Sequence, residues 1–303
     1  MKGRRIFTRP ARIATIAPYL WMTLFFLVPF GFVLKISLSQ TVIAQPPYAP
    51  TFDLFGGWSA IRESLSKLSL DNFYLLASDD LYVFSYLRSV TVALVSTVIL
   101  LAIGYPVAYA MAKLPPRWQA VAMMLVVVPF WTSFLIRIYA WINILQHDGL
   151  LNSLLLMLHI IDRPVPWLST DSAMYLGIVY SYFPFMILPL FATLSKMDNS
   201  LLEAAADLGC SRLKAFWLVT VPLSLPGVAA GALLCFIPIA GEFVIPDLLA
   251  GSDNMMIGQT LWLEFFTNRD WPVASTIAIV LLVLLLAPLL IYEHIQRKQL
   301  EST

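Results

Sequence analysis

Acidic and aromatic side chains cluster in the segments around the last two long apolar stretches of the sequence. The set comprises Glu242, Asp247, Trp262, Glu264, Asp270 and Trp271. Carboxylates can replace water around a cation, and aromatic faces attract cations while covering hydrocarbon. The pattern is therefore one in which a cation could bind. The alternative is that acidic residues simply fill loops that are poor in Lys and Arg.

The motifs of common hydrolytic, nucleotide-binding and metal sites are absent from the sequence. It contains no Gly-Lys pair, and therefore no Gly-x-x-x-x-Gly-Lys-[Ser/Thr] phosphate-binding loop. His147, His159 and His294 are isolated, and Cys210 and Cys235 have no histidine at metal-ligand spacing. We predict that the chain is not an enzyme and holds no metal.

A second group of residues predicts a short, rigid helix followed by a longer one. Ser200 can cap the first helix, and Glu203, three residues later, can complete a capping box. Gly209 can adopt the left-handed conformation that ends it. Ser211 can cap a second helix that enters the fifth apolar stretch, where Pro222 is expected to bend it. Such a unit suits force transmission; an ordinary capped connector is the alternative.

Composition predicts a membrane protein. Of 303 residues, 59% are hydrophobic and only 12% are charged, against about 25% charged in soluble domains. A helix crosses the bilayer with about 20 residues, so we predict six transmembrane helices. The charge-free stretches are 13–34, 89–112, 118–136, 172–195, 215–241 and 271–292. The third can extend to Leu145 if Arg137 is tolerated.

The positions of the basic residues predict the orientation of the chain. Most of them lie on one side if both termini are cytoplasmic, as the positive-inside rule requires. The other side then carries more acidic than basic residues, which concentrates cations. The formal net charge of +1 gives no indication of a nucleic-acid partner.

The segments within and between the apolar stretches carry further signals. Prolines interrupt most stretches, which favours a moving or pore-lining bundle. Gly227-x-x-x-Gly231 predicts a close approach of another helix. Residues 58–70 predict a short amphipathic helix in a long outer segment, and residues 150–161 an interfacial or re-entrant helix.

The short-helix segment resembles the EAA loop of binding-protein-dependent ABC importer permeases. Glu203-Ala204-Ala205 is followed by three residues and Gly209, and after nine more by Val-Thr-Val-Pro, where the family usually has Ile-x-Leu-Pro. In that family the loop forms the coupling helix that docks on the ATPase subunit. The resemblance therefore implies ATPase coupling for Glu203, Ala204, Ala205, Asp207 and Gly209.

Three further segments resemble the polyamine branch of the family and, within it, the putrescine permease subunits. They read WTSFLIR at 131–137, GEFVIP at 241–246 and NRDWPVA at 268–274. The resemblance implies an all-α integral membrane protein with six transmembrane helices and the type I ABC importer permease fold. It also implies a multi-pass protein of the bacterial inner membrane.

The resemblance implies partners as well. They are a second related permease subunit, two ATPase subunits that carry ATP and Mg²⁺, a periplasmic polyamine-binding protein and the lipid bilayer; this chain itself needs no cofactor. The implied organisation is a cytoplasmic tail (1–12), a first transmembrane helix (13–36), a periplasmic segment (37–84), a permease core (85–292) with the coupling helix at 200–209, and a cytoplasmic tail (293–303).

A polyamine path would need carboxylates for the ammonium groups and aromatic faces for the methylenes between them. The candidate residues are Glu242, Asp247, Arg137, Tyr139, Trp141, Trp262, Glu264, Asp270 and Trp271. Glu242 is the first choice, because it extends an apolar helix and is costly to bury without a positive partner. Arg137 is expected to snorkel outward, to pair with Glu242 or to gate the substrate.

Two other classes of function stay open. An ion-gradient-driven secondary carrier for organic cations is favoured by the acidic residues and the interrupted helices, but not by the absence of an internal repeat. A non-transporting membrane scaffold is the other, and it would not need so acidic an outer face.

Overall fold

A computed structural model describes residues 9–51, 62, 64–251 and 255–301, and these are almost entirely helical. The helices, in chain order, are α1 (Arg9–Met22), α2 (Val28–Ser37), α3 (Asp71–Ser78), α4 (Asp80–Ala112), α5 (Pro116–Val127), α6 (Phe134–Leu145), α7 (Leu150–Met157), α8 (Asp171–Leu194), α9 (Ser200–Asp207), α10 (Arg212–Ala215), α11 (Val221–Ala240), α12 (Val244–Leu249), α13 (Ile257–Trp262) and α14 (Trp271–Glu301). Strands β1 (Gln40–Thr41) and β2 (Tyr48–Ala49) pair antiparallel.

Five helices of the described chain are long and apolar enough to cross a membrane. They are Ile16–Ser37, Asp80–Ala112, Asp171–Leu194, Arg212–Ala240 and Trp271–His294. The remaining apolar stretch is a bent pair, in which Pro116–Trp131 and Phe134–Met157 meet at 88°. The described chain has the six predicted spans if this bent pair counts as one span. The prediction of one uninterrupted helix over 118–136 is wrong, because the chain bends within this stretch.

The bend lies at Thr132 and Ser133, whose backbone is not helical: ψ is 153° at Thr132 and 138° at Ser133. The hydroxyl of Thr132 donates to the carbonyl of Pro129 at 2.8 Å. Because Pro129 has no N–H, it also removes one helical hydrogen bond just before the break. The short helix predicted at 150–161 is present as α7, at the far end of the second arm.

The prolines inside the other spans do not break them. Pro106, Pro184, Pro189, Pro226 and Pro238 lie within continuous helices. Two π turns, Thr23–Leu27 and Phe216–Thr220, end two residues before a proline. The extra residue in such a turn relieves the clash between a proline ring and the preceding turn. The bend predicted at Pro222 is therefore a π turn within one continuous span.

The chain falls into two compact units whose boundaries lie inside α4, α13 and α14. The first comprises Met1–Val83 and Leu261–Val283, and the second Phe84–Thr260 and Leu284–Thr303. In the first unit, Lys35 at the end of α2 is buried; its ammonium donates to the carbonyl of Pro50 and lies 4.4 Å from the ring centroid of Tyr48. These contacts fix the β1–β2 hairpin to the first span.

The core of the second unit forms where α4, α8 and α11 pack together. Its fully buried side chains include Leu100, Ile178, Met186, Ile187, Leu190 and Ile239. Gly227 and Gly231 bring α11 close to α8: an added Cβ would lie 2.6 Å from Thr193 Oγ1 at the first position and 2.9 Å from Met186 Sδ at the second. The predicted close approach at these glycines is confirmed.

The helices at the two ends of the chain extend beyond the predicted limits of the first and last spans. Helix α1 begins at Arg9, so the first helix starts before residue 13. Helix α14 continues to Glu301, and the apolar span within it is Trp271–His294. The cytoplasmic location of residues 293–303 stays a prediction. Residues 1–8, 58–61 and 63 lie outside the described residues. Of the amphipathic helix predicted at 58–70, residues 62 and 64–66 are helical, and residues 67–70 are not.

Replacing Gly227 with Ala should destabilise the protein by about 1 to 3 kcal/mol, because the added methyl group overpacks α11 against α8. The matched control is Gly31→Ala, where nothing lies within 4 Å of the added Cβ. Thermal unfolding of both variants in one detergent measures the difference. Equal unfolding temperatures would show that the contact does not restrict the position.

Candidate functional site

The predicted loop helix is present as α9, but its N-terminal cap is different from the one expected. Asn199 occupies the N-cap position without a side-chain hydrogen bond, and Asp198 Oδ1 accepts the N–H of Ser200 at 2.9 Å. The capping box from Ser200 to Glu203 is therefore wrong. The backbone hydrogen bond from Ser200 lowers the pKa of Asp198. Its stabilising effect is thus complete above the ordinary Asp pKa and is lost as the pH falls.

The C-terminal end of the loop helix is as predicted. Gly209 has a φ of +79°, and the N–H groups of Gly209 and Cys210 donate to the carbonyls of Ala206 and Ala205, both at 2.9 Å. This is the Schellman arrangement. Ser211 Oγ then accepts the N–H of Lys214 at 3.4 Å, which caps the fifth span as expected.

The loop helix presents an acidic and apolar surface. Glu203, Ala204 and Asp207 are exposed, and Ala205 is half-buried. Leu208 is 89% exposed. Exposed apolar residues rimmed by polar ones are typical of protein-binding surfaces. The sequence analysis missed Leu208, although a leucine immediately before the helix-ending glycine is visible in the sequence.

Glu242 lies in the second unit, where it caps a helix. Its Oε1 accepts the N–H groups of Val244 and Ile245 at 3.0 and 3.4 Å, and its Oε2 accepts the hydroxyl of Tyr182 at 2.5 Å. The backbone of Gly258 packs closely against the backbone of Glu242, because a Cβ at Gly258 would lie 2.6 Å from the Glu242 carbonyl oxygen. The carboxylate is thus held by three neutral donors. Sequence reasoning missed Tyr182, a polar aromatic residue within a charge-free span.

The alternative in which Arg137 pairs with Glu242 is wrong in this structure. The guanidinium carbon of Arg137 lies 4.3 Å from the ring centroid of Phe130 and 5.9 Å from that of Phe134. Its Nε and Nη1 are buried without a hydrogen-bond partner. Arg137 thus packs against aromatic rings, whereas the Glu242 carboxylate accepts Tyr182 and two backbone N–H groups. Snorkelling and gating by Arg137 stay predictions.

The other candidate residues of the second unit have different surroundings. Trp141 packs edge-on against Tyr180, with ring centroids 5.4 Å apart. Tyr139 is 54% exposed. Asp247 is exposed and lines a cavity of about 430 Å³ together with Gln259.

Glu264 is a buried carboxylate of the first unit. It is 9% exposed and lies in the π turn Leu263–Thr267, a type of turn that is frequent at functional sites. Its Oε1 accepts the hydroxyl of Tyr82 and its Oε2 the amide of Asn268, both at 2.9 Å. Both donors are neutral, and no basic side chain pairs with Glu264 among the described residues.

Of the remaining candidates of the first unit, Trp271 lines an aromatic cavity, whereas Asp270 and Trp262 make other contacts. Asp270 Oδ1 accepts the N–H of Val273 at 3.0 Å, which caps α14, and the hydroxyl of Thr41 at 2.7 Å. Trp271 stacks on Phe265 at 5.2 Å between centroids. Trp262 lies 4.0 Å from Phe266 by the same measure. A cavity of about 570 Å³ is lined by Ala44, Gln45, Pro46, Pro47, Phe265, Phe266, Arg269 and Trp271.

The structure therefore divides the predicted path residues between the two units. Trp262, Glu264, Asp270 and Trp271 belong to the first; Arg137, Tyr139, Trp141, Glu242 and Asp247 belong to the second. The sequence analysis missed Tyr82 and Tyr182, which donate to the two carboxylates.

The capped loop helix and the apolar spans agree with one family. A family model described as "Binding-protein-dependent transport system inner membrane component" matches residues 103–300. The chain belongs to this family. It is therefore a multi-pass permease of the inner membrane, and its matched relatives are permease subunits.

Individual relatives narrow the position of this permease within the family. It is 41% identical to the spermidine/putrescine transport system permease protein PotB of Escherichia coli (strain K12) over 229 residues, which cover 76% of this chain and 83% of the relative. The protein of the same name from Haemophilus influenzae is 41% identical over 205 residues, which cover 68% and 72%. The resemblance to the polyamine branch is confirmed.

A solved structure confirms the fold of the permease. It is similar to a chain of a bacterial ABC transporter involved in the import of the acidic polysaccharide alginate, with a TM-score of 0.72 and 14% identity. The match covers 95% of this chain and 94% of that one. The all-α, type I permease fold predicted from the sequence is thus confirmed.

Replacing Glu242 with Ala should destabilise the permease by about 0.5 to 2 kcal/mol, because α12 loses its N-terminal cap. Glu242→Gln keeps a side-chain oxygen acceptor and should retain most of that stability. Asp247→Ala, at an exposed position, is the control and should unfold like the wild type. Thermal unfolding compares all four proteins; a Glu242→Ala variant as stable as the control would refute the capping role.

Proposed function

We propose that this permease imports polyamines, with putrescine as the first choice, in an ATP-driven complex. The complex contains a second related permease subunit, two ATPase subunits and a periplasmic polyamine-binding protein. The observation that carries this proposal is the 41% identity to PotB, a protein named for spermidine and putrescine transport, over 76% of the chain. ATP and Mg²⁺ belong to the ATPase subunits, because the sequence has no Gly-Lys pair for a phosphate-binding loop.

The loop helix is proposed to couple the permease to the ATPase. It has eight residues, about 12 Å at 1.5 Å per residue. The backbone groups at its two ends are held by Asp198 and by the Gly209 turn, so it can move as a rigid body. Glu203 and Leu208 are exposed and therefore available to a groove in the partner. Ala204, Ala205 and Asp207 complete this surface.

Motion of the loop helix would reach the bundle through α11. Ser211 caps the helix that continues into this span, and Gly227 and Gly231 hold α11 against α8. A displacement of α9 by the ATPase would therefore move both spans together. Alternating access would follow from this motion, with both termini in the cytoplasm and residues 37–84 in the periplasm.

The acidic and aromatic residues named from the sequence are the proposed substrate contacts, and each is considered within its own unit. Glu264 is a buried carboxylate that accepts only neutral donors, one of them the aromatic Tyr82. A carboxylate and an aromatic face are groups that bind an ammonium. Glu242 already accepts three hydrogen bonds. We therefore place Glu264 before Glu242 as a cation contact. Asp247, Asp270, Trp262, Trp271, Tyr139, Trp141 and Arg137 are proposed to line the remainder.

Reconstitution tests the proposed activity directly. The complex purified from its native membrane and placed in liposomes, with its binding protein outside, should accumulate labelled putrescine only when ATP is trapped inside. Vanadate should abolish uptake, whereas an ionophore should not. Uptake that survives vanadate but is lost with the ionophore would instead indicate a secondary carrier. No uptake under any condition would favour a scaffold.

A charge reversal tests the coupling surface in the same preparation. Glu203→Lys should reduce both the co-purified ATPase and the putrescine uptake about tenfold or more, because a charged contact at an interface is replaced by a repulsive one. Asp162→Lys reverses another exposed acid, in the connection after α7, and serves as the control. Normal ATPase retention by the Glu203→Lys complex would exclude Glu203 from the docking surface.

A further inference from the structure

A cavity of about 270 Å³ lies in the second unit, where the ends of α4 and α8 meet the start of α5 and the residue before the loop helix. Its polar lining residues are Lys113, Gln119, Ser195, Asn199 and Thr220. None of these belongs to the proposed substrate path or to the exposed coupling surface. The cavity therefore requires a separate explanation.

Lys113 brings a positive charge to this cavity. Its ammonium donates to Asn199 Oδ1 at 3.0 Å and lies 5.7 Å from the ring centroid of Tyr109. An ammonium has three N–H donors, so two are left after this bond. Lys113 pairs with no carboxylate in the described parts of the chain. The amide nitrogen of Asn199 also has no acceptor there.

Thr220 adds a neutral donor to the same cavity. It is 1% exposed, and its hydroxyl oxygen is buried without a hydrogen-bond partner. Leaving such a group unpaired is unfavourable, and a bound group with an acceptor oxygen would satisfy it. Gln119 has a different role, since its amide nitrogen donates to the carbonyls of Ala112 and Leu114 and holds the α4–α5 turn.

We propose that this cavity binds a phosphate-type oxyanion, supplied by the headgroup of an anionic phospholipid in the inner leaflet. The exposed Lys113 and Asn199 and the buried Thr220 all line it, and oxyanions form their strongest hydrogen bonds with charged donors. Basic pockets between membrane helices on the cytoplasmic side are suited to anionic headgroups. The leaflet follows from the orientation proposed above, whereas the chemistry of the pocket does not depend on the transported substrate.

The surface beside the cavity is suited to the acyl chains of such a lipid. Leu114, Trp118 and Val121, around the start of α5, are 39%, 53% and 43% exposed. Tryptophan is favoured at the level of lipid headgroups. A lipid seated there would connect Lys113, the residue after α4, to Asn199, the N-cap residue of the loop helix. Lipid composition would then influence the position of the coupling helix.

Native mass spectrometry of the assembled complex in phosphatidylglycerol-containing nanodiscs tests the proposal. Lys113→Gln should lower the retained phosphatidylglycerol about tenfold, because a charge-assisted hydrogen bond is lost. Thr220→Val should lower it about threefold. Arg117→Gln removes an exposed charge that does not line the cavity, and it should retain the lipid as the wild type does.

Two further measurements are needed: competition with inorganic phosphate identifies the source of the oxyanion, and the unfolding temperature shows whether a variant is folded. Displacement of the lipid by inorganic phosphate alone would assign the site to free phosphate as well; retention would assign it to the lipid. Thr220→Val should not lower the unfolding temperature, since the hydroxyl has no internal partner. Equal lipid retention by Lys113→Gln and the wild type, or equal loss in Arg117→Gln, would overturn the proposal. The experiment measures lipid retention and not putrescine uptake. A failure of the lipid proposal can therefore be distinguished from a failure of the proposed transport function.

Discussion

The turn at Gly209 determines how the loop helix is joined to the fifth span. A left-handed residue, two backbone hydrogen bonds and the Ser211 cap satisfy the groups that would otherwise be unpaired between two helix ends. The connection therefore has one geometry instead of many. The proposed coupling mechanism depends on this rigidity, because a flexible joint would absorb the displacement of the loop helix before it reached α11.

Much of the fold was predictable because lipid imposes simple requirements on sequence. Charge-free stretches identified the spans, and Gly227 and Gly231 indicated that another helix approaches α11 closely. That this helix is α8 came only from the structure. The bend at Thr132 and Ser133 was missed, since an apolar stretch looks the same whether straight or bent. The prolines led to the opposite error, because they predicted interruptions in spans that are continuous helices. Neighbouring helices and π turns accommodate them, and neither feature is visible in composition.

The candidate site was predicted as a set of residue types but not as a set of contacts. Glu242 and Asp270 each accept backbone N–H groups at the start of a helix, a role set by helix boundaries that the sequence does not fix. The Arg137–Glu242 pair is not formed: Arg137 lies against Phe130, and the carboxylate accepts Tyr182 from a distant part of the chain. Glu264 is buried and accepts hydrogen bonds only from two neutral donors. Its negative charge is therefore costly to bury without a positive partner.

The central claim is that the loop helix lies in the cytoplasm and contacts a separate ATPase. Labelling of Leu208→Cys with a membrane-impermeant maleimide tests it most directly, in a chain with Cys210→Ser; Cys235 is fully buried. The account predicts labelling in inside-out vesicles stripped of the ATPase, protection when the ATPase is added back, and no labelling from the periplasmic side. Labelling from the periplasmic side, or labelling that the ATPase does not change, would contradict it.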